Sequence, residues 1–385
     1  MLSSLTNFLL SFGLLRVTDP ETFGAFAALL LVIGFFTEVT RSSIGEALLL
    51  FSEGRRLSLR GAIRGTFPLL VAALCITGLI GSTTVLRSAV VVTVALSLAV
   101  VVQQEVVRYS AIAMRRPDVA LQMSLSWFVT QVPLTIFAMT LDNPAFGIVV
   151  AWGLGGVASL VAGSSAWRSL DSELFHDFFT RHRSEVLRFG FELFVDRGSA
   201  YVTIAVVGVV VGFIGLGQIH SARLLFTLFS PLLFLLPALL IPIFERGGER
   251  AKRILVRAVG VAAVVTVVTA VLAASNPAGL TALLIKENWE GARPLIPWAG
   301  LSFGLGVVRL ICRTYLRSVG RMNIVTRLRM MDSVLVVTAS IAGAFLFGTI
   351  GAVVGRASGL GLGSLVWGRE LSATGAVSAA PEDAA

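Results

Sequence analysis

Leu187 to Gly217 is an apolar stretch long enough to cross a bilayer, yet its first third carries Glu192, Asp196 and Arg197. Ionisable groups at membrane depth are costly, so they usually face a bundle interior or a water-filled cavity. Glu192 and Asp196 are spaced i,i+4 and share one helix face, with Arg188 one turn before. Such a face suits an ion- or proton-coupling site. An intrahelical ion-pair ladder near the cytoplasmic interface is the favoured reading of the same spacing. Arg197, Arg223, Arg309 and Arg356 also fall inside apolar runs. A guanidinium is a planar donor fork that matches phosphate oxygens. Each has a structural reading beside the binding one. Glu192 and Asp196 neutralise Arg197; Arg223 and Arg309 lie near helix ends and can snorkel to head groups. Arg356 is only one or two turns from the start of its helix.

The rest of the chain must position these groups. It has 385 residues, 56% hydrophobic and only 14% charged, where a soluble domain carries nearer a quarter charged. Apolar runs of about twenty residues recur from end to end, which is the transmembrane signature. The expected fold class is therefore an all-α integral membrane protein. A net charge of +9 is explained by basic cytoplasmic loops rather than by nucleic acid. Cys75 and Cys312 each sit in an apolar run, and His176, His182 and His220 are scattered. These imply no disulfide framework, metal or cofactor site. The N-terminus lacks the basic region of a cleavable signal peptide.

The apolar runs map to about 12 transmembrane helices. The first, Leu2 to Leu15, is too short for the hydrocarbon core, so the true start is expected upstream of Met1. Thr18-Asp-Pro-Glu21 reads as a capping box with Thr18 as N-cap. The sixth helix ends at Trp167, and a polar loop leads to the seventh, Leu187 to Gly217. The eighth, about Ser221 to Phe244, contains Pro231, Pro237 and Pro242. Each proline removes a backbone donor, so this helix is expected to kink and to act as a hinge. The expected domains are 1–167, a connecting loop 168–186, a second bundle 187–371 and a disordered tail 372–385. Loops on one side hold only Arg16, Arg87, Lys286 and Arg293, while those on the other hold nearly all remaining positive residues. That asymmetry places both termini in the cytoplasm.

The two halves also resemble each other. Val106-Val-Arg-Tyr109 matches Val307-Val-Arg-Leu310, Phe146-Gly-Ile-Val-Val150 matches Ile350-Gly-Ala-Val-Val354, and Ser159-Leu-Val-Ala-Gly163 matches Ser364-Leu-Val-Trp-Gly368. With six helices per half, both halves share one orientation. This is the parallel-repeat arrangement, related by a pseudo-two-fold axis along the membrane normal.

Several stretches together resemble the polysaccharide-type (Wzx-like) flippases of the multidrug/oligosaccharidyl-lipid/polysaccharide (MOP, MATE-like) exporter superfamily. They are Ser4-Leu-Thr-Asn-Phe8 with Leu15-Arg16 and Pro20-Glu-Thr-Phe-Gly24, then Arg41-Ser-Ser-Ile-Gly-Glu46, Arg108-Tyr109 with Arg115-Arg-Pro117, and Ser230-Pro-Leu232 with Pro242 and Arg246. The sequence departs from that pattern before Arg108-Tyr109, where Glu105 stands in for the family's acidic residue. The resemblance implies a non-enzymatic transporter in the plasma membrane. It would flip a polyprenyl-pyrophosphate-linked oligosaccharide by alternating access between two six-helix lobes. It implies membrane lipid as a partner, with polysaccharide polymerase and glycosyltransferases as further ones. Arg197, Arg223, Arg309 and Arg356 then become candidate ligands of the pyrophosphate. A small-molecule transporter, either multidrug or major-facilitator-type, is the alternative. A cationic cavity argues against cationic drugs, and the connection after the second helix lacks the major-facilitator Gly/Arg pattern. A membrane enzyme acting on lipid-linked sugars is the third reading. It would need a catalytic set that Lys286, Glu287, Glu290 and Arg293 do not supply.

Overall fold

Helix boundaries in a membrane protein are set by two rules. Every backbone polar group at hydrocarbon depth must be bonded within its own segment, and a helix continues past the apolar run wherever its polar ends still favour helix. A computed structural model of the chain follows both. It describes residues 2–41, 59–113, 115–164, 183–184, 187, 198–227, 229–245, 248–275 and 288–377. The described residues are almost wholly helical, with no strand among them. The chain divides into two compact units, Met1–Tyr201 and Val202–Ala385.

The first unit contains α1 (Leu2–Val17), α2 (Pro20–Val39), α3 (Leu59–Ser82), α4 (Ser88–Ala113), α5 (Pro117–Ala138) and α6 (Pro144–Ala162). Helix α6 packs on α5 and α4, and α1 packs on α5. Trp127 of α5 and Trp152 of α6 are fully buried there, with ring centroids 6.2 Å apart. Trp152 Nε1 donates to Asn7 Oδ1 (3.2 Å), and Gln131 Nε2 donates to the Thr6 carbonyl (2.9 Å). These bonds tie α1 into the bundle. Helix α4 runs seven residues past Val106, the end of its apolar run, and so carries Arg108 and Tyr109 on a helix.

The α1–α2 turn differs from the expected capping box. Asp19, not Thr18, is the N-cap; its Oδ1 accepts from the Glu21 and Thr22 amides, each at 3.0 Å. Thr18 instead donates its hydroxyl to the Leu14 carbonyl (2.7 Å) and so finishes α1. Pro20 at the first helical position makes Asp19 the last residue with non-helical backbone, which is why the cap falls there. Burial pushes the Asp19 carboxyl up, but hydrogen bonds from the Thr22 hydroxyl and amide, with those of Asp19 and Glu21, outweigh it and hold it below its ordinary value. Its contribution is therefore complete above the unfolded carboxylate pKa, near 4, and is lost as pH falls through the lower folded value. Asp19→Ala is expected to cost about 1 kcal/mol, read as lower thermal stability of the detergent-solubilised protein at pH 7, with a smaller difference in strong acid.

The second unit contains α7 (Ser199–Thr227) from Val202 onward, α8 (Ser230–Glu245), α9 (Gly248–Ser275), α10 (Ile296–Ser318) and α11 (Met322–Val377), with the short turns Trp289–Ala292 and Arg293–Leu295 leading into α10. Two of these runs are hairpins. Helix α7 reverses at Gly212 (φ 72°, ψ 179°), a conformation that only glycine adopts without strain. A Cβ on Gly208 would lie 3.3 Å from the Leu216 side chain, a contact impossible along one straight helix. The expected break at 217–221 is thus replaced by a turn at Gly212, and Gln218 to Arg223 lie inside a helical arm. Helix α11 reverses at Phe347 and Gly348 (φ 61°). Its arms approach closely because Gly351, Gly355, Gly359 and Gly363 recur every fourth residue along the second arm. A Cβ on Gly359 would sit 2.8 Å from the Leu335 carbonyl. Small residues at one face let membrane helices meet backbone to backbone.

Helix α10 is the hub of this unit, packing on α8, α9 and α11. Around it lie Phe244, Leu255, Ile311, Leu316, Leu328 and Trp367, all buried. The face of α9 bearing Val261, Val264, Val265 and Val268 is exposed, as expected of a surface meeting lipid tails. Among the described helices, seven are long and apolar enough to cross a membrane, and shorter apolar helices accompany them. With the two hairpins, this is an all-α, multi-pass membrane protein in two helical lobes.

Candidate functional site

Three of the four arginines proposed from sequence converge in the second unit. Arg223 sits on the second arm of α7, Arg309 in the middle of α10, and Arg356 on the second arm of α11. The guanidinium of Arg356 lies in the repulsive fields of both Arg223 and Arg309. His220, one turn before Arg223, lies in the field of Arg223. Like charges at membrane depth are gathered only against a cost, since desolvation and mutual repulsion both oppose the charged form.

The three arginines differ in what they touch. Arg309 Nη2 donates to Asp332 Oδ2 in a short ion pair. Trp367 Nε1 donates to the same oxygen at 2.6 Å. Asp332 is 2% exposed, and its Oδ1 abuts Gly363, where a Cβ would collide with it. The carboxylate is therefore clamped between α10 and both arms of α11. Among the described residues Arg356 has no such carboxylate partner. Its Nη1 is shielded from solvent and makes no hydrogen bond among the described residues. A buried guanidinium nitrogen without an acceptor forfeits a strong charge-assisted bond.

The sequence reading did not single out Asp332. It lies at the junction of a basic loop and an apolar run, where an acid reads as solvated. The signal available was a lone carboxylate at the start of a transmembrane run. Its partners are 23 and 35 residues away, so no local spacing announces them.

The first unit holds a second buried charge cluster. Glu105 of α4 is 1% exposed. It accepts from Arg41 Nη2 at 3.0 Å and, more closely, from Arg108 Nη2 one turn along its own helix. The Arg108 guanidinium stands 5.2 Å from the Tyr109 ring centroid, within cation–π range. The i,i+3 spacing of Glu105 and Arg108 was visible in sequence; the reach of Arg41 from the end of α2 was not.

The remaining candidates are placed as follows. Glu192, Asp196 and Arg197 lie outside the described residues. Pro237 and Pro242 are inside α8, whereas Pro231 is in its first turn, where a missing N–H costs little. Pro133, inside α5, was not singled out. Cys75 is exposed and Cys312 buried, and no group of metal-ligating side chains comes together among the described residues. Lys286 and Glu287 lie outside the described residues; Glu290 and Arg293 are exposed.

No family model and no curated protein matches this sequence. Solved structures do match its fold. Lipid II flippase MurJ, in an inward closed conformation, superposes with a TM-score of 0.77 at 11% identity, covering 96% of this chain and 86% of that one. An inward-facing multidrug resistance MATE family transporter of the MOP superfamily gives 0.69 at 14% identity, over 98% and 96%. A MOP superfamily transporter from Pyrococcus furiosus, described by the reversed polarity of its binding pocket, gives 0.57 at 13% identity, over 97% and 92%. At these identities the likeness speaks for architecture, and it spans nearly the whole chain: this protein has the two-lobed helical fold of the MOP-superfamily transporters.

Proposed function

We propose that this chain is a transporter that flips a lipid-linked oligosaccharide, carried on a polyprenyl pyrophosphate, across the plasma membrane by alternating access. The observation that carries the proposal is Arg356. It is a half-buried cation whose Nη1 is shielded from solvent and has no hydrogen-bond partner among the described residues, close to two further arginines and in an apolar segment where a cation is expensive. A phosphate group would supply the missing acceptors and relieve the repulsion at once. In this reading Arg356 holds the head group, with Arg223 beside it as a further candidate, while Arg309 is engaged by Asp332. The fold shared with a lipid II flippase supports the class of substrate. Basic loops on one side support cytoplasmic termini, and a polymerase and glycosyltransferases are the natural partners of such a carrier lipid. Glu192, Asp196 and Arg197 are retained as candidates for ion coupling and for head-group binding.

The multidrug reading shares the fold but fits the charges less well. A cavity for cationic drugs needs a free buried carboxylate. The two fully buried carboxylates among the described residues, Glu105 and Asp332, are both held by arginine. Purified protein in liposomes should expose a fluorescent polyprenyl-pyrophosphate oligosaccharide to an external modifying enzyme faster than protein-free liposomes do. It should leave the distribution of a lipophilic cationic dye unchanged. Dye movement without lipid movement would reverse the assignment.

A further inference from the structure

We propose that the two hairpin turns of the second unit, at Gly212 and at Phe347–Gly348, form one apolar tip that is immersed in lipid. It sits at the boundary between head groups and acyl chains, and its partner is the bilayer itself. The tip would be the same whatever the cargo.

The two turns adjoin. A Cβ on Gly215, just past the α7 turn, would lie 2.7 Å from Thr349 Oγ1, just past the α11 turn. Around them the chain is nearly free of polar side chains. Ile204 to Gly217 has none, and Ile341 to Gly355 has only Thr349. Val209 is 87% exposed and Phe347 71%, with Ile214, Phe345 and Leu346 exposed beside them. A contiguous apolar patch of this kind marks a surface that meets lipid or another apolar partner. Turns elsewhere in the chain expose polar groups instead: Asp19 after α1, Arg87 after α3, Asp142 and Asn143 after α5, Arg321 after α10. The internal match of Phe146–Val150 with Ile350–Val354 sets Asp142-Asn-Pro144 against Leu346-Phe-Gly348. A polar turn in one half is thus an apolar one in the other.

Arm length fixes how far the tip can reach. Arg327 Nη2 and Glu370 Oε1, 3.6 Å apart, join the two arms of α11 at the end away from the turn. Twenty residues separate Arg327 from Phe347, and 22 separate Gly348 from Glu370. At 1.5 Å per residue either arm spans about 30 Å. That is the thickness of the hydrocarbon core, whereas clearing both head-group layers takes about 40–45 Å. With Arg327 and Glu370 among the head groups of one leaflet, the turn stops at the far edge of the hydrocarbon, and any tilt shortens the reach. Nor is the tip deep in the tails. Gln218, on the second arm of α7, lies against Gly291 in the turn that exposes Glu290 and Arg293, and such charges belong among head groups. The patch continues into the exposed apolar flanks of the same arms, at Val202 on α7 and at Val334 and Leu365 on α11. Lipid therefore covers the tip as it covers the arms. The carbonyls of Gly343 and Gly351 each abut the other glycine across the hairpin, which turns backbone oxygens near the tip away from the tails.

The test places an environment-sensitive NBD fluorophore on the full chain in phosphatidylcholine vesicles. The background is Cys75→Ser, with the buried Cys312 left in place. Phe347→Cys carries the label at the tip, and Asn143→Cys carries it at the polar turn after α5. The Phe347→Cys label should emit to the blue of the Asn143→Cys label and lose most of its quenching by aqueous iodide. It should be quenched more by a doxyl group high on the lipid acyl chain than by one near the methyl end. Val209→Cys, at the neighbouring turn, should behave in the same way and answers the question should Phe347→Cys not fold. These positions are exposed, so the variants should keep the melting midpoint of the background. Equal iodide quenching at Phe347→Cys and Asn143→Cys would put the tip in water and overturn the inference. A tip label shielded from both iodide and doxyl lipid would mean that protein covers it, and would overturn the inference equally. Stronger quenching from the methyl end would refute the placement at the head-group boundary.

Discussion

Arg356→Gln is expected to lower the initial rate of head-group flipping by roughly a hundredfold without weakening the fold. Truncating one member of a desolvated charge pair costs about 2–5 kcal/mol, and each 1.4 kcal/mol is a tenfold change. The loss falls on transport because, among the described residues, Arg356 Nη1 makes no hydrogen bond for the substitution to break. Removing a half-buried cation from the neighbourhood of Arg223 and Arg309 also relieves repulsion. The thermal midpoint in detergent should therefore stay level or rise. Arg356→Lys should retain part of the activity, since it keeps the charge but loses the planar fork. The liposome assay and a melting curve on the same preparations decide the matter. A large fall in stability with transport intact would make Arg356 a structural residue.

Glu105→Gln is expected to do the opposite, destabilising the first unit by about 3–5 kcal/mol, the range for leaving a buried charge without its partner. Glu105 is the shared acceptor of Arg41 and Arg108. Its substitution strands two guanidinium groups at once. Arg41→Gln should cost much less, because Arg41 keeps 27% of its side chain exposed and Glu105 would still hold Arg108. Thermal unfolding of the solubilised variants measures the contrast. Equal losses for the two substitutions would show that the Arg41 bond, not the buried carboxylate, carries the cluster. Val106-Val-Arg108 and Val307-Val-Arg309 were matched as an internal repeat, and both arginines end in buried ion pairs. The first finds its acid three residues away; the second finds it on another helix.

Much of this protein was legible in the chain because the bilayer imposes local rules. Backbone groups in hydrocarbon must bond within their own segment, so apolar length alone announced the helices and the all-α, multi-pass class. Arginines inside apolar runs announced themselves by their cost, and Arg223, Arg309 and Arg356 could be named before any fold was known. Local competition between signals misled at two places. Thr18 and Asp19 are both good caps, and the choice fell to the backbone geometry that Pro20 imposes. The stretch through Gly212 is apolar without interruption, so hydropathy ran the seventh helix on to Gly217, whereas a single positive φ turns the chain five residues earlier. What only the tertiary structure decided is which charges are spent and which are free. Arg309 is cancelled by Asp332, Glu105 is shared by Arg41 and Arg108, and Arg356 is left with an idle donor. Those facts depend on helices that meet tens of residues apart in sequence, through glycines whose effect is to bring backbones close. Charge at a given depth is a property of one residue, but compensation is a property of pairs, and pairing at a distance is written in the packing.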